Sequence, residues 1–259
     1  MILDAIVETK KQEVALLKRK TSVAAMERSI ADLAPCRDFR GAISGAGCAI
    51  IAEVKCASPS RGRFVEHFDP LAIAKTYDQN GAAAISVLTD EKYFCGHKND
   101  LTQIKRDVAI PLLRKEFVID PLQIYETRAI GADAILLIVR LLGARLPRYI
   151  ALSKELGLAP LVEVHTHEEL DVALAAGADM IGINNRNLDT FATDINTSRD
   201  LRMRIPAGKT VVAESAIKNR ADIEHLMNAG IRAFLIGEGL VAAPDIVKKI
   251  RLFLGESVP

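Results

Sequence analysis

Eight short apolar runs, each followed by a longer amphipathic segment, constrain the fold of this chain more than any other feature of its sequence. They fall at residues 49–54, 83–88, 110–113, 134–139, 160–164, 180–183, 210–213 and 233–236. Most lack apolar/polar alternation, as parallel strands covered on both faces require. Eight such units in one chain point to α/β architecture with a closed (β/α)8 barrel; an open doubly wound sheet is the competing arrangement. The intervening segments carry helix boundaries. Asp69-Pro70 and Asp120-Pro121 each set an N-cap aspartate before a proline at the first helical position, and Asn219 with Asp222 marks another start. Gly81, Gly131, Gly177 and Gly230 stand where helices should stop before the next run. At 259 residues the chain has the length of one such barrel, so a single domain is expected.

Residues 1–45 precede the first run and read differently. Ile2, Leu3, Ile6, Val7, Val14 and Leu17 fall on one helical face, and Met26, Ile30 and Leu33 on a second that ends at Pro35. No Pro/Gly/Ser-rich linker follows, so they form an N-terminal helical extension of the barrel at 46–259, expected to cap one end or pack on its side. The four cysteines, Cys36, Cys48, Cys56 and Cys95, show no CxxC pairing and read as free thiols of a reducing, cytoplasmic compartment. Asp4, Lys10 and Lys11 interrupt the stretch that a signal peptide would keep apolar, and no apolar run is long enough for a bilayer. A formal net charge of +1 gives no reason to expect nucleic-acid or membrane partners.

Barrel chemistry collects at the carboxyl ends of the strands. The first run ends in Glu53-Val54-Lys55, whose charged residues are two apart and so project to one side. The third ends in Arg114-Lys115-Glu116-Phe117, the sixth in Asn184-Asn185-Arg186 and the seventh in Glu214-Ser215. Glu163 lies between Val162 and Val164. If those valines face the helices, Glu163 points into the barrel, where an unpaired charge costs several kcal/mol unless lysines on neighbouring strands offset it. Taken alone, Lys115 reads as a surface lysine; charges gathered at one end read as a site. After the last two runs, Glu214-Ser215-Ala216 and Gly237-Glu238-Gly239 occupy the place where barrels hold phosphate with backbone N–H groups. His165 and His167 are expected in a loop and helix start on the solvent side, so no metal site is expected. Rossmann, Walker and Gly-x-Ser-x-Gly signatures are absent from the sequence.

Together these segments resemble the indole-3-glycerol-phosphate synthase family. Ile51-Ala52-Glu53-Val54-Lys55-Cys56-Ala57-Ser58-Pro59-Ser60-Arg61-Gly62 is similar to its first-strand signature. Residues 88–94, 112–117, 161–164, 181–186, 212–215 and 234–238 resemble its later blocks in order. The resemblance implies a carboxy-lyase of tryptophan biosynthesis. It would convert 1-(2-carboxyphenylamino)-1-deoxyribulose 5-phosphate to indole-3-glycerol phosphate by ring closure, decarboxylation and dehydration, without a cofactor. It further implies Lys115 as general acid and Glu163 as general base, assisted by Glu53 and Lys55, with Asn184 contacting substrate. Arg186 would fork to the substrate's aromatic carboxylate, and Glu214 would orient hydroxyls. Ser58, Ser215, Gly237 and Glu238 would form the phosphate region. Phe94, Phe117 and Leu136 would line the slot for the aromatic ring.

Three positions depart from the family's pattern: Cys56, the Cys95-Gly96-His97 segment, and Ala216 where glycine is usual. Alanine resists positive φ, which bears on phosphate binding. Two rival readings share the barrel. Another phosphate-binding barrel enzyme would keep the strand-eight loop but need not combine Glu53, Lys55, Lys115 and Glu163. A non-catalytic sensor or scaffold would have no use for a buried acid–base set. Other pathway enzymes are conceivable partners beside the sugar-phosphate substrate.

Overall fold

A computed structural model of the chain describes residues 2–59, 61–65, 67–188 and 190–257. Eight strands close into a parallel barrel in chain order: β1 (Ala49–Val54), β2 (Ala84–Leu88), β3 (Leu112–Lys115), β4 (Ala134–Ile138), β5 (Ala159–Val164), β6 (Met180–Asn184), β7 (Thr210–Glu214) and β8 (Ala233–Ile236). Pairing of β8 with β1, Ala233 opposite Ala49, closes the ring and excludes the open sheet. A two-residue hairpin, Ala57–Ser58 against Gly62–Arg63, sits in the loop after β1. No helix among the described residues is long and apolar enough to cross a membrane.

Strand parity divides the apolar residues into two cores. Ile51, Ala84, Leu113, Leu136, Leu161, Met180, Val212 and Leu235 fill the lumen. Ile50, Ala52, Ile85, Leu112, Ile135, Val162, Val164, Ile181, Ala213 and Phe234 face the helical layer, where Tyr77, Leu101, Ile104, Leu226 and Phe253 are buried against them. The apolar runs therefore have no alternation because both faces are dry. Asp69 caps its helix by accepting from Ala72 N, and Asn219 and Asp222 form a reciprocal capping box.

The third strand lies later than the run at 110–113 suggests. Pro111 has no N–H for a ladder, and Leu112 N instead donates to Asp133 Oδ2 at 2.9 Å. Pairing then runs through Leu113 and Arg114 to Lys115, which sets Lys115 on the lumenal parity. The helix after Asp120-Pro121 also begins one residue later, at Leu122, whose N–H still donates to Asp120 Oδ1 at 3.0 Å.

The N-terminal extension forms α1 (Ile2–Lys20), α2 (Val23–Ile30) and a third helix the periodicity does not reveal, α3 (Phe39–Ile43). Five residues are too few for a periodic signal. Phe39 and Ile43 join the lumenal core from the amino end of the barrel. Asp133 Oδ1 accepts from Arg37 N at 2.7 Å, anchoring the approach to α3. At the opposite end, Ile2, Leu3 and Ile6 of α1 lean over the mouth. The extension thus covers both ends.

Candidate active site

Toward the carboxyl ends, the lumenal parity changes from apolar to charged. Ile51 is succeeded by Glu53 and Lys55, Leu113 by Lys115, Leu161 by Glu163, Met180 by Gly182 and Asn184, Val212 by Glu214, and Leu235 by Gly237. These side chains meet in a cavity of about 700 Å³, within the ordinary range for a small-molecule site. Lys115 Nζ lies 2.6 Å from both Glu163 Oε2 and Glu214 Oε2, and Lys55 Nζ lies 2.9 Å from Glu53 Oε1.

Two glycines make this density of carboxylates possible. A Cβ at Gly182 would collide with Glu214 Oε1, and one at Gly237 with Glu53 Oε1. Each carboxylate lies directly over a strand backbone that only glycine leaves open.

Burial disfavours the ammonium of Lys115, but Glu163, Glu214 and Glu53 outweigh it and raise the lysine's pKa well above the usual range. Burial likewise opposes ionisation of Glu163, and Lys115 with His165 overcomes it, holding that carboxyl below the usual range. Glu214 goes the other way. Burial, reinforced by the charge of Glu163, pushes it up to about 7, against the pull of Lys115. Two carboxylates thus share one ammonium, and near neutrality one of them tends to keep a proton. Glu214 Oε1 is buried without a hydrogen-bond partner among the described residues. An ammonium thus stands between two carboxyl groups, one held ionised and one with its pKa raised to about 7, a set able to hold and move protons.

At one rim, Ser215 and Ala216 adopt φ of 64° and 63°. Two successive left-handed residues turn the chain sharply as it leaves β7. Gly237 and Glu238 lie beside this turn on the same wall, at the start of the helix Glu238–Val241. The Glu238 carboxylate turns to Arg61 Nη1 at 2.8 Å and to Arg186 Nη2 at 3.8 Å. On the opposite side Phe94 and Phe117 stand 5.9 Å apart between ring centroids, and with Leu136, Ile138, Leu3 and Ile6 they make an apolar slot.

The family model described as indole-3-glycerol phosphate synthase matches residues 3–253. This chain belongs to the indole-3-glycerol phosphate synthase family. It is 50% identical over 248 residues to the indole-3-glycerol phosphate synthase of Chlorobium chlorochromatii, covering 94% of this chain and 96% of that protein. Its identity to the synthase of Desulforamulus reducens is 45% over 254 residues, 97% and 96% of the two chains. A solved structure, thiamine phosphate pyrophosphorylase from Pyrococcus furiosus, superposes with a TM-score of 0.60 at 14% identity, covering 84% of this chain and 98% of that one. That likeness bears on the fold alone.

Every residue singled out from the synthase-family motifs lines the cavity: Glu53, Lys55, Ser58, Phe94, Lys115, Phe117, Leu136, Glu163, Asn184, Arg186, Glu214, Ser215, Gly237 and Glu238. One placement read from the sequence is wrong. His165 is not on the solvent side: its ring is 10% exposed, with Nε2 3.4 Å from Glu163 Oε1 and Nδ1 3.0 Å from Glu169 Oε2. Its spacing from Glu163 repeats that of Lys55 from Glu53, a signal present in the sequence. His167 does lie exposed at a helix start. Glu214 proves to be a direct ion-pair partner of Lys115, a contact its strand-end position alone does not disclose. Gly182 and the α1 residues Leu3 and Ile6 were also not foreseen; nothing local in the sequence ties them to the site.

Proposed function

We propose that this chain is a carboxy-lyase that converts 1-(2-carboxyphenylamino)-1-deoxyribulose 5-phosphate to indole-3-glycerol phosphate, carbon dioxide and water. The convergence of Lys115, Glu163, Glu53, Lys55 and Glu214 in one cavity, between the rim after β7 and β8 and an aromatic slot, carries the reading. The substrate has the matching parts in the matching order. Its phosphate suits the N–H groups at Ser215, Ala216, Gly237 and Glu238. Its aromatic ring suits the slot between Phe94, Phe117 and Leu136, and its carboxylate is within the chemistry of Arg186, which would exchange a loose contact with Glu238 for a bidentate one.

The acid–base set meets the proton requirements of the reaction. The ring carbon bearing the carboxylate attacks the ketone carbon, and Lys115 donates a proton to the ketone oxygen, which becomes a hydroxyl. The carbon–carboxylate bond breaks and its electron pair restores the aromatic ring. Dehydration then needs a second proton on that hydroxyl as it leaves as water, while Glu163 removes a proton from the adjacent CH2 carbon to form the indole double bond. Two protons go to oxygen and one is recovered from carbon, so each turnover of the carboxylate form takes up one proton from solvent. Lys55 and Glu53 are placed to assist these transfers, and Asn184 to hydrogen-bond the substrate beside Glu163. Purified protein given this substrate should release one carbon dioxide per indole formed, followed by fluorescence and by gas or bicarbonate assay. Consumption of substrate without indole would overturn the reading.

A further inference from the structure

His165 lies one residue beyond β5 and two beyond Glu163, so it follows the same parity toward the barrel mouth. One carboxylate oxygen fixes it twice. Glu169 Oε2 accepts the His165 backbone N–H at 2.7 Å and faces the ring Nδ1 at 3.0 Å. This directs Nε2 toward Glu163 Oε1, 3.4 Å away, an ion-pair contact; Nε2 forms no hydrogen bond among the described residues. Lys115 occupies the other oxygen of the same carboxylate. Glu163 therefore has a nitrogen at each oxygen, Lys115 hydrogen-bonded to one and His165 in ion-pair contact with the other. The imidazole itself is not part of the cavity wall.

The charged groups facing His165 are Glu163 on its own strand, Glu169 on the following helix and Glu214 across on β7, with Lys115 as the second partner of Glu163. Burial disfavours the imidazolium, but Glu169, Glu163 and Glu214 outweigh it, so the ring keeps its proton above the pH at which a free histidine releases it.

An acid and a base in direct contact face a difficulty. Once Lys115 has given its proton to the ketone oxygen, Glu163 and Glu214 are buried beside a neutral amine. A buried carboxylate without a cation takes up a proton and ceases to be a base. Dehydration requires Glu163 as a base at that stage. A cation on Oε1 that does not take part in the transfer removes the conflict.

We propose that His165, oriented by Glu169, is a positioning residue that holds the Glu163 carboxylate charged and aimed into the cavity while Lys115 lacks its proton. The inference rests on the acid–base assignment proposed above.

The test is the kcat–pH profile of His165→Gln, which keeps a side-chain hydrogen-bond donor and removes the charge. kcat should fall at least about tenfold, less than the hundredfold or more expected when the general acid or base itself is lost, because His165 acts through Glu163. KM should stay within about twofold, because His165 does not touch the cavity. The acidic limb should move to higher pH, since loss of the neighbouring cation raises the pKa of Glu163. Glu169→Gln, which keeps the imidazole but loosens it, should move the limb in the same direction by less. Thermal melts establish that each variant folds, and if His165→Gln does not, Glu169→Gln supplies the comparison. An unchanged kcat and profile overturn the proposal, and so does a lower kcat with both limbs unmoved. Failure of the wild-type protein to form indole overturns the functional reading itself, and this inference with it, before any variant is made.

Discussion

Lys115 turns into the barrel, whereas the next residue, Glu116, turns to α1. Each is the centre of a buried ion network, and the two networks are built differently. Glu116 meets Lys10 of α1 at 3.0 Å and accepts from Thr89 Oγ1 at 2.7 Å and from Phe117 N at 2.8 Å. Lys10 is 1% exposed and is also paired with Asp90 and Glu13, both at 2.8 Å. Arg114 continues the network to Glu126 at 2.8 Å. Here three carboxylates share Lys10, but Asp90 and Glu116 are also held by fixed neutral donors, Asp90 Oδ1 accepting from Tyr93 N at 2.7 Å and from Phe94 N at 3.1 Å. At the mouth, Glu163 and Glu214 compete for Lys115, and an oxygen of Glu214 is left over. Backbone and hydroxyl donors that carry no exchangeable charge fix a network in place; carboxylates that share one ammonium at a cavity keep protons available for exchange. Being buried and charged does not make a site, but sharing an ammonium at a cavity wall does.

The largest expected effect separates them by activity. Lys115→Ala should lower turnover by at least about a hundredfold while the protein still folds, checked by steady-state kinetics beside circular dichroism. Lys10→Met should do the reverse. Removing one partner of a buried ion pair costs about 3–5 kcal/mol, so its denaturant midpoint should fall sharply while the folded fraction keeps most of its kcat.

Acid and base should sharpen the contrast further. Burial opposes ionisation of Glu116 and Glu126, but Lys10 with Arg114, and Arg114 with Lys98, hold their pKa values below the usual 4.5. Their contribution to stability is complete above 4.5 and disappears as pH falls through the lowered values. Glu214 has the opposite sign, because its folded pKa is raised from 4.5 to about 7. Its contribution is complete below 4.5 and is lost as pH rises through about 7. Denaturant melts across pH should therefore show that Glu214→Gln flattens the neutral-side slope and leaves the acid-side decline intact. The smallest effect belongs to the turn after β7. Ala216 holds φ at 63°, so Ala216→Gly should stabilise the protein by about 1 kcal/mol, read from the same melts.

Much of this was legible from residue order. Strand parity alone predicts that Glu53, Lys55 and Glu163 face the lumen, because Val162 and Val164 are apolar and must be covered by helices. The position of Lys115 was less legible, since Pro111 and Asp133 shift β3 later than its apolar run. His165 was misread because a histidine followed by Thr166 and His167 looks like the start of a solvent-facing helix; Glu169, four residues on, accepts the His165 N–H and holds its ring, a spacing that fits an exposed helix start equally well. The ionic clamp on α1 joins Lys10 to Asp90 and Glu116 across long stretches of chain, and no local pattern encodes it. The same holds for Gly182, whose reason for lacking a side chain is a carboxylate on the neighbouring strand.

Replacing the one carboxylate that both Lys115 and His165 address gives the most direct trial of the whole account. Glu163→Gln is nearly isosteric, so the protein should still fold and bind substrate, while indole formation at saturating substrate should drop by about a hundredfold or more. A Glu163→Gln protein that makes indole at the wild-type rate would contradict it.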